Sequence, residues 1–157
     1  MRILGVDPGS RATGYGLIDK EGDRLLFIAC GVIQPPQNSP FPAILKELYQ
    51  KLQQLIQLHQ PEVIVLEDLF YSRNVRYALN LGHVRGVLMV AAINSGLPVA
   101  EYTPLEVKKA VVGYGRADKR QVQHMVKHLL ELSTLPQPYD ASDALAVAIC
   151  HAHCLKK

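Results

Sequence analysis

Arg2-Ile3-Leu4-Gly5-Val6-Asp7-Pro8-Gly9 decides how the chain folds. Ile3 to Val6 is an unbroken apolar run, and continuous rather than alternating hydrophobicity marks a strand covered on both faces. Pro8-Gly9 turns the chain at once, leaving the Asp7 carboxylate at the strand's carboxyl end, where open α/β sheets gather ligands.

Working outward, Gly14–Asp19 and Leu25–Ile33 read as a second and third strand around the turn Glu21-Gly22-Asp23. Their short links predict an antiparallel meander. Prolines from Pro35 to Pro40 break the chain, and Ile44, Leu45, Leu48, Leu52, Leu55 and Ile56 then recur at helical spacing to about His59. Pro61 stops that helix before a second unbroken run, Val63-Ile64-Val65-Leu66, inside a strand over Glu62–Glu67. A buried strand reached across a helix implies a parallel pairing. Asn74 to about Asn94 reads as a long helix stopped by Ser95-Gly96, and Val99–Tyr102 as a fifth strand. Thr103-Pro104-Leu105-Glu106 has the form of a capping box with proline at the first helical position. Asp118 caps an amphipathic helix through Leu132, and Pro136 and Pro138 lead into a last helix from Asp140 to about His153. The order β-β-β-α-β-α-β-α-α-α predicts one α/β domain over residues 1–157, a five-stranded mixed sheet flanked by helices.

Composition narrows the classes. A net charge of +3 permits a nucleic-acid partner, although clustering of positive charge decides more than its sum. The longest apolar stretch, Val87 to Ile93, is too short to span a bilayer, so no membrane partner is expected. Met1-Arg2 leads straight into the first strand, and an odd three cysteines without a leader fit a reduced, cytoplasmic setting.

The acids carry the chemistry. Asp7 and Glu67 each end an apolar run, with Asp68 beside Glu67, and Asp140 and Asp143 lie three apart on one helix face. Adjacent strand residues point to opposite faces, so only one of Glu67 and Asp68 can join a shared site. Glu67 ends the run directly and is favoured, with Asp68 the local alternative. First-turn acids also suit helix capping. However, Ala141, Ala144, Ala146 and Ala148 leave room for the helix to lie close on the sheet, which would carry Asp140 and Asp143 to the strand ends. Carboxylates gathered in this way repel one another until a cation relieves them. The set suggests a metal-dependent nuclease.

Several motifs resemble the RuvC family of bacterial Holliday-junction resolvases. They are Val6-Asp7-Pro8-Gly9, Glu67-Asp68-Leu69-Phe70, Leu81-Gly82-His83-Val84-Arg85-Gly86-Val87, and Val107-Lys108-Lys109 through Gly113. Lys119-Arg120-Gln121-Val122 and Asp140-Ala141-Ser142-Asp143 extend the resemblance nearly end to end. The resemblance implies a ribonuclease-H-like fold and a homodimer that nicks two like strands symmetrically at a four-way DNA junction. It implies catalytic, metal-binding acids at Asp7, Glu67, Asp140 and Asp143, with Asp140 keeping the all-carboxylate form of a position that some members fill with His. Two Mg²⁺ ions, replaceable by Mn²⁺, would sit roughly 3.5–4 Å apart, activating water and stabilising the leaving 3′-oxygen. The products would be 5′-phosphate and 3′-hydroxyl ends. The expected further partner is the RuvA–RuvB branch-migration complex.

DNA contact needs positive charge near that pocket. Lys108, Lys109, Arg116, Lys119 and Arg120 lead towards the last helix, while Arg73, Arg76 and Arg85 follow the second acid. Lys108 and Lys119 match the family's basic positions, and Arg73, Arg76 and Arg120 are further candidates for phosphate contacts. The resemblance makes Phe70 a wedge that stacks on an unpaired base. Gly82 and Gly86 share a helix face with Ala78, Leu79, Val90 and Ile93, the stripe a dimer would use. His124 with His128, and Cys150 with Cys154, read as incidental.

An actin-like or sugar-kinase ATPase also opens with a strand and an Asp-x-Gly turn. It needs two lobes, for which 157 residues are too few, and gives the late acid pair no role. A non-catalytic junction-binding protein needs no full acid set, and an RNA or linear-DNA nuclease is the nearest alternative. Asp7→Asn is expected to fold and bind a four-way junction but not cut it, as a gel-shift and cleavage assay would read. Lys119→Ala is expected to weaken binding or cutting without moving the metal optimum.

Overall fold

The structure is a computed structural model that describes residues 1–68 and 72–155. Its strands are β1 (Arg2–Asp7), β2 (Thr13–Glu21), β3 (Arg24–Ile33), β4 (Val63–Glu67) and β5 (Val99–Tyr102). Its helices are α1 (Phe41–His59), α2 (Val75–Asn94), α3 (Pro104–Val112), α4 (Lys119–Leu129) and α5 (Tyr139–Cys154). The strands form one sheet in the order β3-β2-β1-β4-β5. β1 pairs antiparallel with β2 and parallel with β4 and so lies at the centre of the sheet.

Strand alternation then divides the residues between two cores. Leu4, Val6, Leu17, Ile64 and Leu66 pack on the face covered by α1 and α2. Ile3, Ile18, Val63 and Val65 pack on the opposite face with residues of α3, α4 and α5. Asp7 and Glu67 share the second set's parity and lie on the α5 side, whereas Asp68 falls to the α2 side.

Helix boundaries follow local chemistry. Thr103 and Glu106 form the expected reciprocal box, with the Thr103 N–H donating to Glu106 Oε2 over 2.7 Å. Asp118 caps α4, and its N3 partner Gln121 returns the bond, a second box. α4 ends at Leu129 rather than Leu132, because Glu131 turns to φ 52° and the Leu132 N–H reaches back to the Lys127 carbonyl. α5 starts at Tyr139 with Pro138 at its N-cap and no side-chain cap, so neither Asp140 nor Asp143 is used for capping.

α5 is almost entirely buried, and two glycines set its distance from the sheet. A Cβ on Gly5 would run into the Ala144 carbonyl and crowd Ala148, and one on Gly14 would run into the Asp140 carbonyl. Both obstacles are helix backbone, which cannot swing aside. Gly14 pairs with Asp7 across β1 and β2, so the closest approach of α5 lies beside the strand-end acid. Gly14→Ala is expected to cost roughly 1–3 kcal/mol as an overpacking change. Thermal melting should fall by about 2–4 °C for each ~1 kcal/mol.

Candidate active site

Beyond Asp7 the chain reverses through Pro8 to Ala12. Thr13, fully buried, ties this turn down by donating its hydroxyl to the Gly9 carbonyl (2.6 Å) and accepting from the Gly9 N–H (3.2 Å). The turn forms one wall of a cleft of about 1190 Å³ at the carboxyl ends of β1 and β4. Asp7, Glu67, Asp140 and Asp143 all line it, together with Lys108 and Lys119.

The acids interact. Asp7 and Glu67 share a hydrogen bond. Burial first, then the charges of Glu67 and Asp143, push the Asp7 carboxyl up to about 9. Burial also raises Glu67 and Asp143, opposed by the positive charges of Lys119 and Lys108. Lys119 Nζ lies 3.6 Å from Asp143 Oδ2 but is two-thirds exposed, so this ion pair is a weak, screened restraint. Both lysines enter from the helix side, Lys108 on α3 and Lys119 at the start of α4.

Asp68 also borders the cleft, but its carboxylate pairs with Arg85 rather than with Asp7. On the α2 side its Oδ1 lies 3.2 Å from Arg85 Nη2, and its backbone N–H donates to the Tyr102 carbonyl. Of the two acids ending β4, Glu67 is therefore the one whose carboxylate joins Asp7.

Carboxylate oxygens are hard donors suited to Mg²⁺ or Mn²⁺. Among the described residues no three acid, histidine or cysteine side chains already form a closed chelate. A magnesium site does not need one, since this ion keeps several waters and takes one or two carboxylates plus substrate phosphate oxygens. The donor chemistry and the unrelieved repulsion at Asp7 both fit a divalent cation.

The remaining residues divide. Arg73 and Arg76 line the cleft from the α2 side, exposed, while Arg120 is exposed on α4 and not part of the cleft wall. Phe70 lies outside the described residues. Arg85, one of the cations that follow the second acid and part of the Leu81–Val87 motif, borders the cleft but is buried. Arg11, in the turn after Asp7, also lines the cleft, as do Ser10, Tyr77 and Asn80. Proximity in sequence to Asp7 was the one available signal for Arg11. His124 and His128 are exposed, and Cys30, Cys150 and Cys154 are free thiols. Cys150 is buried, which pushes its thiol up to about 12. Among the described residues no helix is long and apolar enough to cross a membrane.

A mixed sheet with acids from its two central strands and from a covering helix gathered at the strand ends is a ribonuclease-H-like arrangement. Solved structures share it. That of Thermus thermophilus RuvC matches with a TM-score of 0.89 at 31% identity, over 98% of this chain and 94% of that one. T. thermophilus RuvC in complex with Holliday junction substrate matches with the same score and coverage at 28% identity. The family model for crossover junction endodeoxyribonuclease RuvC matches residues 3–151. A relative of that name from Syntrophotalea carbinolica is 56% identical over 154 residues, 98% of this chain and 95% of the relative. The chain belongs to the RuvC family of crossover junction endodeoxyribonucleases.

The raised Asp7 carboxyl has a thermodynamic signature. Its folded pKa of about 9 exceeds its ordinary 3.8, so the metal-free protein binds this proton more tightly folded than unfolded. The associated stability is present at low pH and lost as pH rises towards about 9. Melting of the metal-free protein is expected to fall steadily as pH rises from above 3.8 to about 9, and Mg²⁺ to raise the melting temperature most at the alkaline end, where the carboxyl gives up its proton most readily. Asp7→Asn should flatten the dependence, whereas an unchanged slope in that variant would contradict the assignment.

Proposed function

We propose that this protein resolves four-way DNA junctions in homologous recombination and repair, nicking two like strands with Asp7, Glu67, Asp140 and Asp143 as its catalytic acids. One observation carries the proposal: four carboxylates from β1, β4 and α5 line a single cleft, and the most enclosed of them holds its proton to about pH 9. Such a site is built for cations. The four acids would hold two Mg²⁺ ions, or Mn²⁺ in their place. When bound, these ions supply an activated water and charge stabilisation for the leaving 3′-oxygen.

The chain's own residues do the rest. Asp7 and Glu67, seated on rigid strand ends, orient the site. Asp140 and Asp143 close it from the helix side. Lys108 and Lys119 at the rim attract the scissile phosphate, while Arg73 and Arg76 hold phosphates further along the strand. Arg120 would contact DNA outside the cleft, and Phe70 would stack on a base at the opened junction.

Symmetric nicking requires two such sites, supplied by a homodimer. The exposed apolar residues Leu79, Val90 and Ile93 on α2, with open space above Gly82 and Gly86, support this reading of the α2 face. The whole chain would act as one nuclease domain in the cytoplasm, alongside the RuvA–RuvB branch-migration complex.

The test is cleavage of a synthetic four-way junction beside a matching linear duplex, with Mg²⁺ or with EDTA. Paired, Mg²⁺-dependent nicks confined to the junction are expected, with ends that a ligase can seal. Equal cutting of the linear duplex, or binding without cutting across several junction sequences and metals, would overturn the assignment.

A further inference from the structure

Arg85 is a cation held almost entirely out of water, and its contacts converge on the end of β4. The residue is 8% exposed. From α2 its Nε–H donates to the Glu67 carbonyl oxygen over 3.3 Å. Its Nη2 lies 3.2 Å from Asp68 Oδ1 and also bonds Glu101 Oε2. Three constraints therefore meet on one guanidinium: the Glu67 backbone, the next side chain, and a residue of β5.

The location explains why such a clamp is needed. The ladder between β1 and β4 stops at the pair Val6 and Leu66, one residue before Glu67. On the other side, β5 ends at Tyr102, whose carbonyl takes the Asp68 N–H as a last rung. The Glu67–Asp68 peptide is thus tied to β5 through its N–H but has no ladder partner from β1 on its carbonyl side, while the Glu67 side chain faces the charge of Asp143 and the hydrogen bond to Asp7. The Arg85 guanidinium holds that second side of the peptide against repulsion at the carboxylate. Two carboxylates on the α2 face keep the Arg85 charge in place, and its planar fork can serve backbone and side-chain acceptors together. A lysine ammonium has the charge without that fixed geometry.

We propose that Arg85 is a positioning residue for the nuclease site: it fixes the Glu67 peptide so that the Glu67 carboxylate meets the Asp7 side of the cleft in a cation-competent orientation. The inference rests on the reading of Glu67 as a cation-binding acid. Arg85 acts through Glu67 and needs no contact with the reacting phosphate.

The experiment compares Arg85→Lys, Arg85→Gln, Glu101→Gln and Glu67→Gln in the full chain. Three quantities are read: single-turnover junction cleavage against Mg²⁺ concentration, junction affinity in EDTA, and the rise in melting temperature on adding Mg²⁺. Arg85→Lys and Arg85→Gln are expected to bind the junction with wild-type affinity but cut at least about tenfold more slowly. Their half-maximal Mg²⁺ concentration should rise and their Mg²⁺-induced thermal shift shrink. Glu101→Gln removes one of the two carboxylates holding Arg85 but leaves the Nε contact to Glu67 and the Asp68 ion pair, and should displace the Mg²⁺ midpoint less than Arg85→Lys does. A lysine variant with wild-type rate and midpoint would overturn the proposal, since charge alone would then suffice. So would a glutamine variant that loses only metal-free stability, or a Glu101→Gln midpoint displaced as far as that of Arg85→Lys. Should Arg85→Gln fail to fold, the lysine and Glu101 variants still decide. Wild-type cutting by Glu67→Gln would instead sink the assignment of Glu67 itself, whatever the Arg85 variants do.

Discussion

The contact between the α5 backbone and the glycines of β1 and β2 is the constraint from which the rest of the site follows. Helices normally stand off a sheet by the width of two side-chain layers. Here Gly5 and Gly14 remove one layer, and Ala144 and Ala148 thin the other. The helix sinks until its own carbonyls occupy the space that Cβ atoms would fill. Only at that depth do Asp140 and Asp143 line the same cleft as two strand-end acids. Local helix chemistry does not compete for them, because α5 starts without a side-chain cap.

That geometry works against stability in the absence of a cation. Bringing carboxylates together out of water disfavours their charged forms, by desolvation and by repulsion, and at Asp7 the two push the carboxyl up to about 9. Lys108 and Lys119 offset part of the strain at Glu67 and Asp143, Lys108 from a half-buried position and Lys119 from an exposed one where water screens it. The same lysines present positive charge to a polyanion approaching the cleft. An acidic floor for cations below a basic rim for phosphates is a consistent division of charge for a nuclease acting on DNA. The protein tolerates the acidic floor because the two cores on either side of the sheet are extensive and independently packed.

Much of this could be read in the chain itself. The unbroken runs at Ile3–Val6 and Val63–Leu66 predict the two central strands, because double burial removes the polar half of the strand period. Helix starts at Asn74, Thr103 and Asp118 were readable because capping is an interaction within one turn. Strand alternation also showed that Glu67 and Asp68 must part company. Where α4 ends was misread by three residues, since Leu132 keeps the apolar period after the backbone has already turned at Glu131.

Sequence by itself thus determined the elements, their order and the set of candidate acids, all of which depend on residue type and on spacing over a few positions. Tertiary structure alone decided the depth of α5, the burial of Arg85 beneath the end of β4, the ion pair that draws Asp68 to the α2 side, and the absence of Arg120 from the cleft wall. Each of those is a distance or a loss of solvent between residues far apart in the chain. No local period encodes them, because they arise only when two faces of one sheet are packed at once.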